Sequence, residues 1–228
     1  MKIILLSILF SVQAFGQNRE ALSPKRFELL SGIRKESKNK DTKAFWDKKY
    51  SKSNYVFGKK PARFLSRNYD FIPQGAKVLD MGMGEGRHAV FLARKGYKVT
   101  GVDISSVAVK KARALAREFG VRINTVVASM EKYKIKPGTF DAIICFYYVD
   151  RKLNEKMKEW LKPGGILIYE AHTDNQRKVE GSEHFDKRYL LRPSELLSLF
   201  GKDMQILKYE EPMHMPEYTA SIILQKKK

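Results

Sequence analysis

From residue 76 onward the chain alternates two kinds of apolar pattern. Short apolar or alternating runs predict strands at 76–81, 97–103, 122–129, 140–149 and 165–171, with two more near 204–210 and 219–225. Between them lie stretches with a period near 3.6 residues. These predict helices over 86–95, stopped by Gly96, over 105–119, capped by Ser105 or Ser106 and closed by Gly120, and over 151–161, ending before Pro163. Pro193 at the first helical position opens a further helix through Phe200. The run FDAIICFYYV (140–149) is apolar enough to be a central strand buried on both faces. Strand and helix in alternation imply an α/β fold: a doubly wound, Rossmann-like, mostly parallel seven-stranded sheet with helices on both faces.

Before residue 76 the pattern is different. Residues 3–15 are almost wholly apolar after Lys2, with Ala14 and Gly16 at signal-peptidase spacing. The run falls short of the ~20 apolar residues needed to span a bilayer, so it reads as a cleavable signal segment over 1–16, with Gln17 beginning the mature chain. Residues 17–40 are polar and basic, without a clear period, and read as an arm. The single domain is expected over 41–228. Asp41 and Thr42 can cap a helix carrying Phe45, Trp46 and Tyr50, which read as packing residues. A loop with Gly58 and Pro61 and a second short helix follow.

Composition narrows the class. With 43% hydrophobic and 11% aromatic residues, a folded body is expected. The one cysteine, Cys145, excludes an internal disulfide framework and any cysteine-rich metal site; in a central strand it reads as an inert buried thiol. The net charge of +19 makes this a basic protein suited to anionic partners, or simply one with a basic surface. The basic arm keeps contact with RNA or another polyanion open. The stretch PMHMPE around His214 has soft donors but reads as an exposed turn, and no metal site is expected. The expected assembly is a monomer or a weak dimer.

The candidate chemistry sits in LDMGMGEGRHA (79–89), a glycine loop between a strand and a helix. Ligands of such sheets bind beyond the C-terminal strand ends. Gly84, Gly86 and Ala89 satisfy the dinucleotide fingerprint, and Asp103 follows at the spacing of ~20 residues. The loop alone is therefore ambiguous. Asp80 and Glu85 weigh against a pyrophosphate, which carboxylates repel at low dielectric, and suit the ammonium and sulfonium of S-adenosylmethionine. Asp103 could accept ribose hydroxyls from either cofactor.

The segment VLDMGMGEGRHAVFLARKGYKVTGVDIS resembles the cofactor motif of class I S-adenosylmethionine-dependent methyltransferases, especially the small tellurite-resistance-type branch. The upstream Trp46-Asp47-Lys48-Lys49-Tyr50, then Tyr55-Val56-Phe57-Gly58 with Pro61, and the turn Leu161-Lys162-Pro163-Gly164-Gly165 match the same family. The resemblance covers residues 44–225. It implies that Gly82, Gly84 and Gly86 let the backbone approach the methionine part, that Asp80 holds the ammonium, directly or through water, and that Asp103 binds the ribose. Ile104 and Met130 would flank adenine, Phe146 would carry the amino-acid end, and Tyr55 and Gly58 would help close the site. Ser129 stands where many relatives have an acid for the adenine amino group.

Methyl transfer needs alignment more than a universal catalytic group. Candidates for an acceptor pocket lie at strand ends: Tyr147, Tyr148, Asp150, Arg151, Glu170 and His172. Among these His172 is the expected base, because its pKa is intrinsically near neutral, and Arg151 could orient an anionic acceptor. A packing role remains open for His172, and His88 reads as a surface or packing residue. The stretch CFYYVDR lacks the motif of DNA adenine methylation, so a small-molecule acceptor is expected. The alternatives are an exported, non-catalytic protein of this fold, an RNA or polyanion methyltransferase, and a nicotinamide-dependent oxidoreductase. A cleaved start implies a periplasmic or secreted protein; a start placed too far upstream implies a cytoplasmic one, where the cofactor is made.

Overall fold

The computed structural model describes residues 42–183, 185–212 and 217–228. The signal-like segment, the basic arm, Asp41 and the methionine–histidine turn at 213–216 lie outside the described residues. Among the described residues no helix is long and apolar enough to cross a membrane.

Seven strands form one sheet: β1 (Lys77–Met81), β2 (Lys98–Asp103), β3 (Asn124–Val127), β4 (Phe140–Phe146), β5 (Leu161–His172), β6 (Met204–Glu210) and β7 (Thr219–Lys226), in the order β3-β2-β1-β4-β5-β7-β6. The first five run parallel, and β7 lies antiparallel between β5 and β6. The strand order reverses between β1 and β4, which opens a crevice at their C-terminal ends.

Alternation along the strands gives each face its own core. Leu79, Ile143, Cys145, Leu167 and Tyr169 point to one side, where α5 (Asn154–Trp160) and α6 (Glu195–Phe200) pack through Met157, Trp160, Leu196 and Phe200. Val78, Ala142, Ile144, Ile166 and Ile168 point to the other, under α2 (Arg63–Asn68) and α3 (Arg87–Arg94). The long helix α4 (Ser106–Glu118) follows β2 and is capped by Ser105, whose hydroxyl accepts from the Ala108 amide at 3.1 Å. The first described helix, α1 (Thr42–Tyr50), packs on α4.

Several boundaries differ from the sequence expectation; β4, for one, ends at Phe146 rather than at 149. As an edge strand β3 is shorter, because β2 offers it only the four positions Thr100–Asp103. In contrast β5 begins early, at Leu161, since Leu161 pairs with Phe140 before a register shift accommodates the Pro-Gly-Gly turn. Pro193 lies outside α6 rather than at its first position: Ser194, at φ 59°, is the residue before the helix. The thiol of Cys145 is buried, with burial pushing its pKa up, as an inert thiol requires.

Gly86 separates two costs. It adopts φ 86°, and a Cβ there would lie 2.7 Å from the Cβ of Ala112 on α4. Gly120 adopts φ 65° with open space around it. Gly120→Ala is expected to cost about 1 kcal/mol for the left-handed backbone alone. Gly86→Ala should cost about 2–4 kcal/mol, because overpacking adds to that strain. Urea unfolding of the two variants checks the difference.

Candidate active site

The glycine loop leaves β1 and is fastened to β2. The Met83 amide donates to Val102 O at 3.1 Å, and the Gly84 amide donates to Asp103 Oδ2 at 2.8 Å. The other oxygen of Asp103 accepts from the Ser105 amide at 2.8 Å. One carboxylate thus fixes the loop against the start of α4. Close approach explains the first two glycines: a Cβ on Gly82 would lie 2.8 Å from the Tyr148 ring, and one on Gly84 2.9 Å from the Tyr50 hydroxyl.

The three acids differ in what balances them. Glu85 is buried, accepts from the Val56 amide at 2.6 Å and pairs with Lys111 at 2.6 Å. Its charge is therefore spent inside the protein, pinning the 51–58 segment, and does not bear on the choice of cofactor. That discrimination falls to Asp80. Asp80 is 1% exposed, and its Oδ2 has no hydrogen-bond partner. Burial, then the charge of Asp103, pushes its pKa up to about 8. The pKa of Asp103 is also raised, first by burial. Two carboxyls beneath one glycine loop, one with an oxygen that lacks a partner, form a site short of positive charge.

Above them lies a cavity of about 640 Å³, within the range of small-molecule sites. Of the cofactor contacts expected from the sequence, Gly58, Gly82, Gly84, Asp103, Ile104, Ser129, Met130 and Phe146 line it. Three are placed elsewhere. Asp80 sits behind the loop. Gly86 serves helix packing. Tyr55 lies against α4, its hydroxyl donating to Lys111 O at 3.4 Å and its ring beneath the ammonium groups of Lys59 and Lys111. Trp46 and Tyr50, read from the sequence as packing residues, also form cavity wall together with Phe57. Trp46 and Tyr50 stack with ring centres 5.6 Å apart; their i, i+4 spacing was the available signal.

The far end of the cavity is a strip of rings. His88 lies 4.6 Å from Phe146, Phe146 6.4 Å from Tyr147, Tyr147 5.0 Å from His172, and His172 5.8 Å from Phe185. All five line the cavity. His88 is buried rather than at the surface; burial holds its pKa well below the ordinary value, and its Nε2 has no hydrogen-bond partner. Tyr147 adopts φ 57°, a strained conformation for a non-glycine residue. Its hydroxyl donates to Glu170 Oε1 at 2.9 Å, and Ser221 donates to the other oxygen of Glu170 at 2.7 Å. Tyr147 is therefore held as a wall, with burial raising its pKa, and is not poised as a base.

Arg151 also departs from expectation. Its guanidinium forks onto the buried Glu195 at 2.6 and 2.8 Å and donates to Leu190 O at 2.9 Å. This bidentate pair ties the segment after β4 to α6 and removes Arg151 from the role of acceptor anchor. His172 remains at the end of β5, 7% exposed and facing the cavity.

Residues 78–165, which run from β1 through the loop and the acids to the start of β5, match the family model described as methyltransferase domain. The chain is 30% identical over 142 residues to the ubiquinone biosynthesis O-methyltransferase of Cronobacter sakazakii, covering 54% of this chain and 58% of that protein. It is 28% identical over 173 residues to the Shewanella pealeana protein of the same name, covering 65% and 73%. The chain thus spans less than two thirds of the length of the first of these relatives. Among solved structures it resembles an S-adenosylmethionine-dependent methyltransferase from Methanosarcina mazei, with a TM-score of 0.59 and 22% identity, covering 74% of this chain and 99% of that one. It also resembles TehB from Haemophilus influenzae, with a TM-score of 0.61 and 20% identity, covering 81% and 67%; at this identity both likenesses are of fold. Residues 78–165 thus match a methyltransferase domain, and the fold around them is shared with solved methyltransferase structures.

Proposed function

We propose that this protein transfers a methyl group from S-adenosylmethionine to a small acceptor, and that the acceptor is a planar ring carrying a hydroxyl. The observation that carries the reading is a cavity in which a glycine loop backed by buried carboxyls meets a strip of aromatic rings. The donor set fits the cofactor. The Asp80 oxygen that lacks a partner suits its ammonium, through a water, and the Asp103 carboxylate suits the ribose hydroxyls. Ile104 and Met130 offer apolar faces to adenine, and Ser129 offers a hydroxyl. When bound, S-adenosylmethionine supplies a methyl group on a positively charged sulfur.

The rest falls to this chain. The rings of Phe146, Tyr147 and Phe185 present apolar faces against which a planar acceptor can stack. Glu170 and Ser221 hold the Tyr147 ring in place, so the wall is preorganised. Trp46, Tyr50 and Phe57 form an apolar stretch of the cavity wall, which limits water around the reacting atoms on that side. His172 takes the hydroxyl proton as the acceptor oxygen becomes nucleophilic. The name shared by the two curated relatives, O-methyltransferase, agrees with oxygen as the accepting atom.

The test is methyl transfer from radiolabelled S-adenosylmethionine to a panel of hydroxylated aromatic acids, against aliphatic alcohols and amines. The aromatic hydroxyls should be methylated and the aliphatic compounds should not. His172→Gln is expected to lower kcat about a hundredfold, the low end for loss of a general base, with cofactor Kd unchanged.

Proton release gives a second check. Below about pH 8 the Asp80 carboxyl holds a proton in the free protein, and a neighbouring ammonium favours its loss. Cofactor binding should release about one proton at pH 6.5. Affinity should rise with pH, at most about tenfold per unit, towards pH 8, and fall beyond it as the cofactor's own amine, ordinarily near 7.7–8.0, loses its charge. Calorimetry in buffers of different ionisation enthalpy reads the proton directly, and Asp80→Asn should abolish the release.

A further inference from the structure

The helix that closes the cavity is not held by apolar packing alone. Asp47, on α1, reaches the start of α4. Its Oδ1 accepts from the Ser105 hydroxyl at 2.6 Å and from the Val107 amide at 3.3 Å. Its Oδ2 pairs with Lys43 one turn earlier on α1. Helix α4 already has its own cap, since Ser105 Oγ accepts from the Ala108 amide. Asp47 therefore adds a second acceptor, from another helix, at the amide-rich end of a 13-residue helix where an anion is favoured.

The same contacts lead into the cavity. Ser105, which donates its hydroxyl to Asp47, donates its amide to Asp103 Oδ1 at 2.8 Å. Asp103 Oδ2 in turn holds the Gly84 amide. On α1, the residue before Asp47 is Trp46 and the one three later is Tyr50; both are cavity wall, and the Tyr50 hydroxyl rests over Gly84. A line of hydrogen bonds thus runs from Asp47 through Ser105 and Asp103 to the glycine loop, and the helix that starts the line carries the rings that cover its end.

We propose that Asp47 is a positioning residue for the cofactor site: by clamping α1 to the start of α4 it sets the Trp46 and Tyr50 wall over Gly84 and keeps Ser105 aligned on Asp103. This rests on S-adenosylmethionine occupying the cavity. Asp47 touches neither cofactor nor acceptor, and acts through Ser105 and through the rings beside it. Burial raises its pKa, but hydrogen bonds from Lys43, Ser105 and Val107 outweigh that and hold the carboxyl down at about 2, so the clamp is charged throughout the neutral range.

The test uses the full chain and titrates S-adenosylmethionine into wild type, Asp47→Ala, Asp47→Asn, Ser105→Ala and the Asp47→Ala/Ser105→Ala double variant. Asp47→Ala is expected to raise the Kd about tenfold, and Asp47→Asn by less, because an amide oxygen still accepts from Ser105 and Val107. The double variant should lose less than the product of the two single losses, since both residues lie on one line of contacts. The chain has two tryptophans, so a Trp160→Phe background isolates Trp46. There, the cofactor-induced change in emission should be present with Asp47 and absent with alanine. Calorimetric Kd values in the native background stand independently if Trp160→Phe is poorly folded. The acceptor KM at saturating cofactor should not move. A Kd within twofold of wild type in Asp47→Ala would overturn the clamp, as would strictly multiplicative losses in the double variant. If wild type binds no S-adenosylmethionine, the methyltransferase reading fails and the clamp fails with it; if wild type binds and the variants bind equally, only the clamp fails.

Discussion

Everything at the site depends on one carboxylate receiving two backbone amides. Asp103 ends β2 and accepts from Gly84 on one side and Ser105 on the other. Neighbouring strands could leave their C-terminal ends in many relative positions, because the loops beyond them share no ladder. The two bonds to Asp103 remove that freedom. They set the distance between the glycine loop and the first turn of α4, and with it the width of the crevice. Each is a hydrogen bond to a charged acceptor, worth about 1.5–3 kcal/mol, and their effect on geometry is larger than their effect on stability.

The cost of this arrangement is electrostatic. Asp80 and Asp103 are both buried and both have raised pKa values, and Asp80 Oδ2 lacks a partner. Such groups destabilise a folded chain unless something compensates them. The sign follows from the shift. A carboxyl whose folded pKa is raised favours folding at pH values below its unfolded pKa, near 4, and this contribution is lost as pH rises towards the folded value, about 8 for Asp80. Near neutrality the free protein therefore bears the cost, and a cationic ligand relieves it. Glu85, five positions on from Asp80, shows the contrasting solution: Lys111 and the Val56 amide satisfy it outright.

What the sequence revealed and what it hid follow the range of the interactions. The loop, the ends of β1 and β2, and the Ser105 cap were legible because each is set by residues within a few positions: glycines at alternate positions, an acid at a strand end, a hydroxyl before a helix. The seven strands and a mostly parallel sheet were legible from alternation, but the antiparallel place of β7 between β5 and β6 was not. The partner of a charged side chain was not. Glu85 looked like a residue facing the cofactor, and its pairing with Lys111 depends on how α4 crosses the loop. Arg151 looked free to meet an acceptor, and Glu195 that holds it lies 44 residues further on. Trp46 and Tyr50 had helical spacing in sequence, but the cavity they face exists only once α1 lies on α4.

The central claim is that the crevice bounded by Asp103 and the glycine loop takes S-adenosylmethionine. The most direct measurement is a calorimetric titration of S-adenosylmethionine and of NAD into the full chain and into its Asp103→Ala variant. The account predicts micromolar binding of S-adenosylmethionine to the wild type, loss of that binding in the variant, and no binding of NAD. Binding of NAD by the wild type, or S-adenosylmethionine binding that survives Asp103→Ala undiminished, would contradict it.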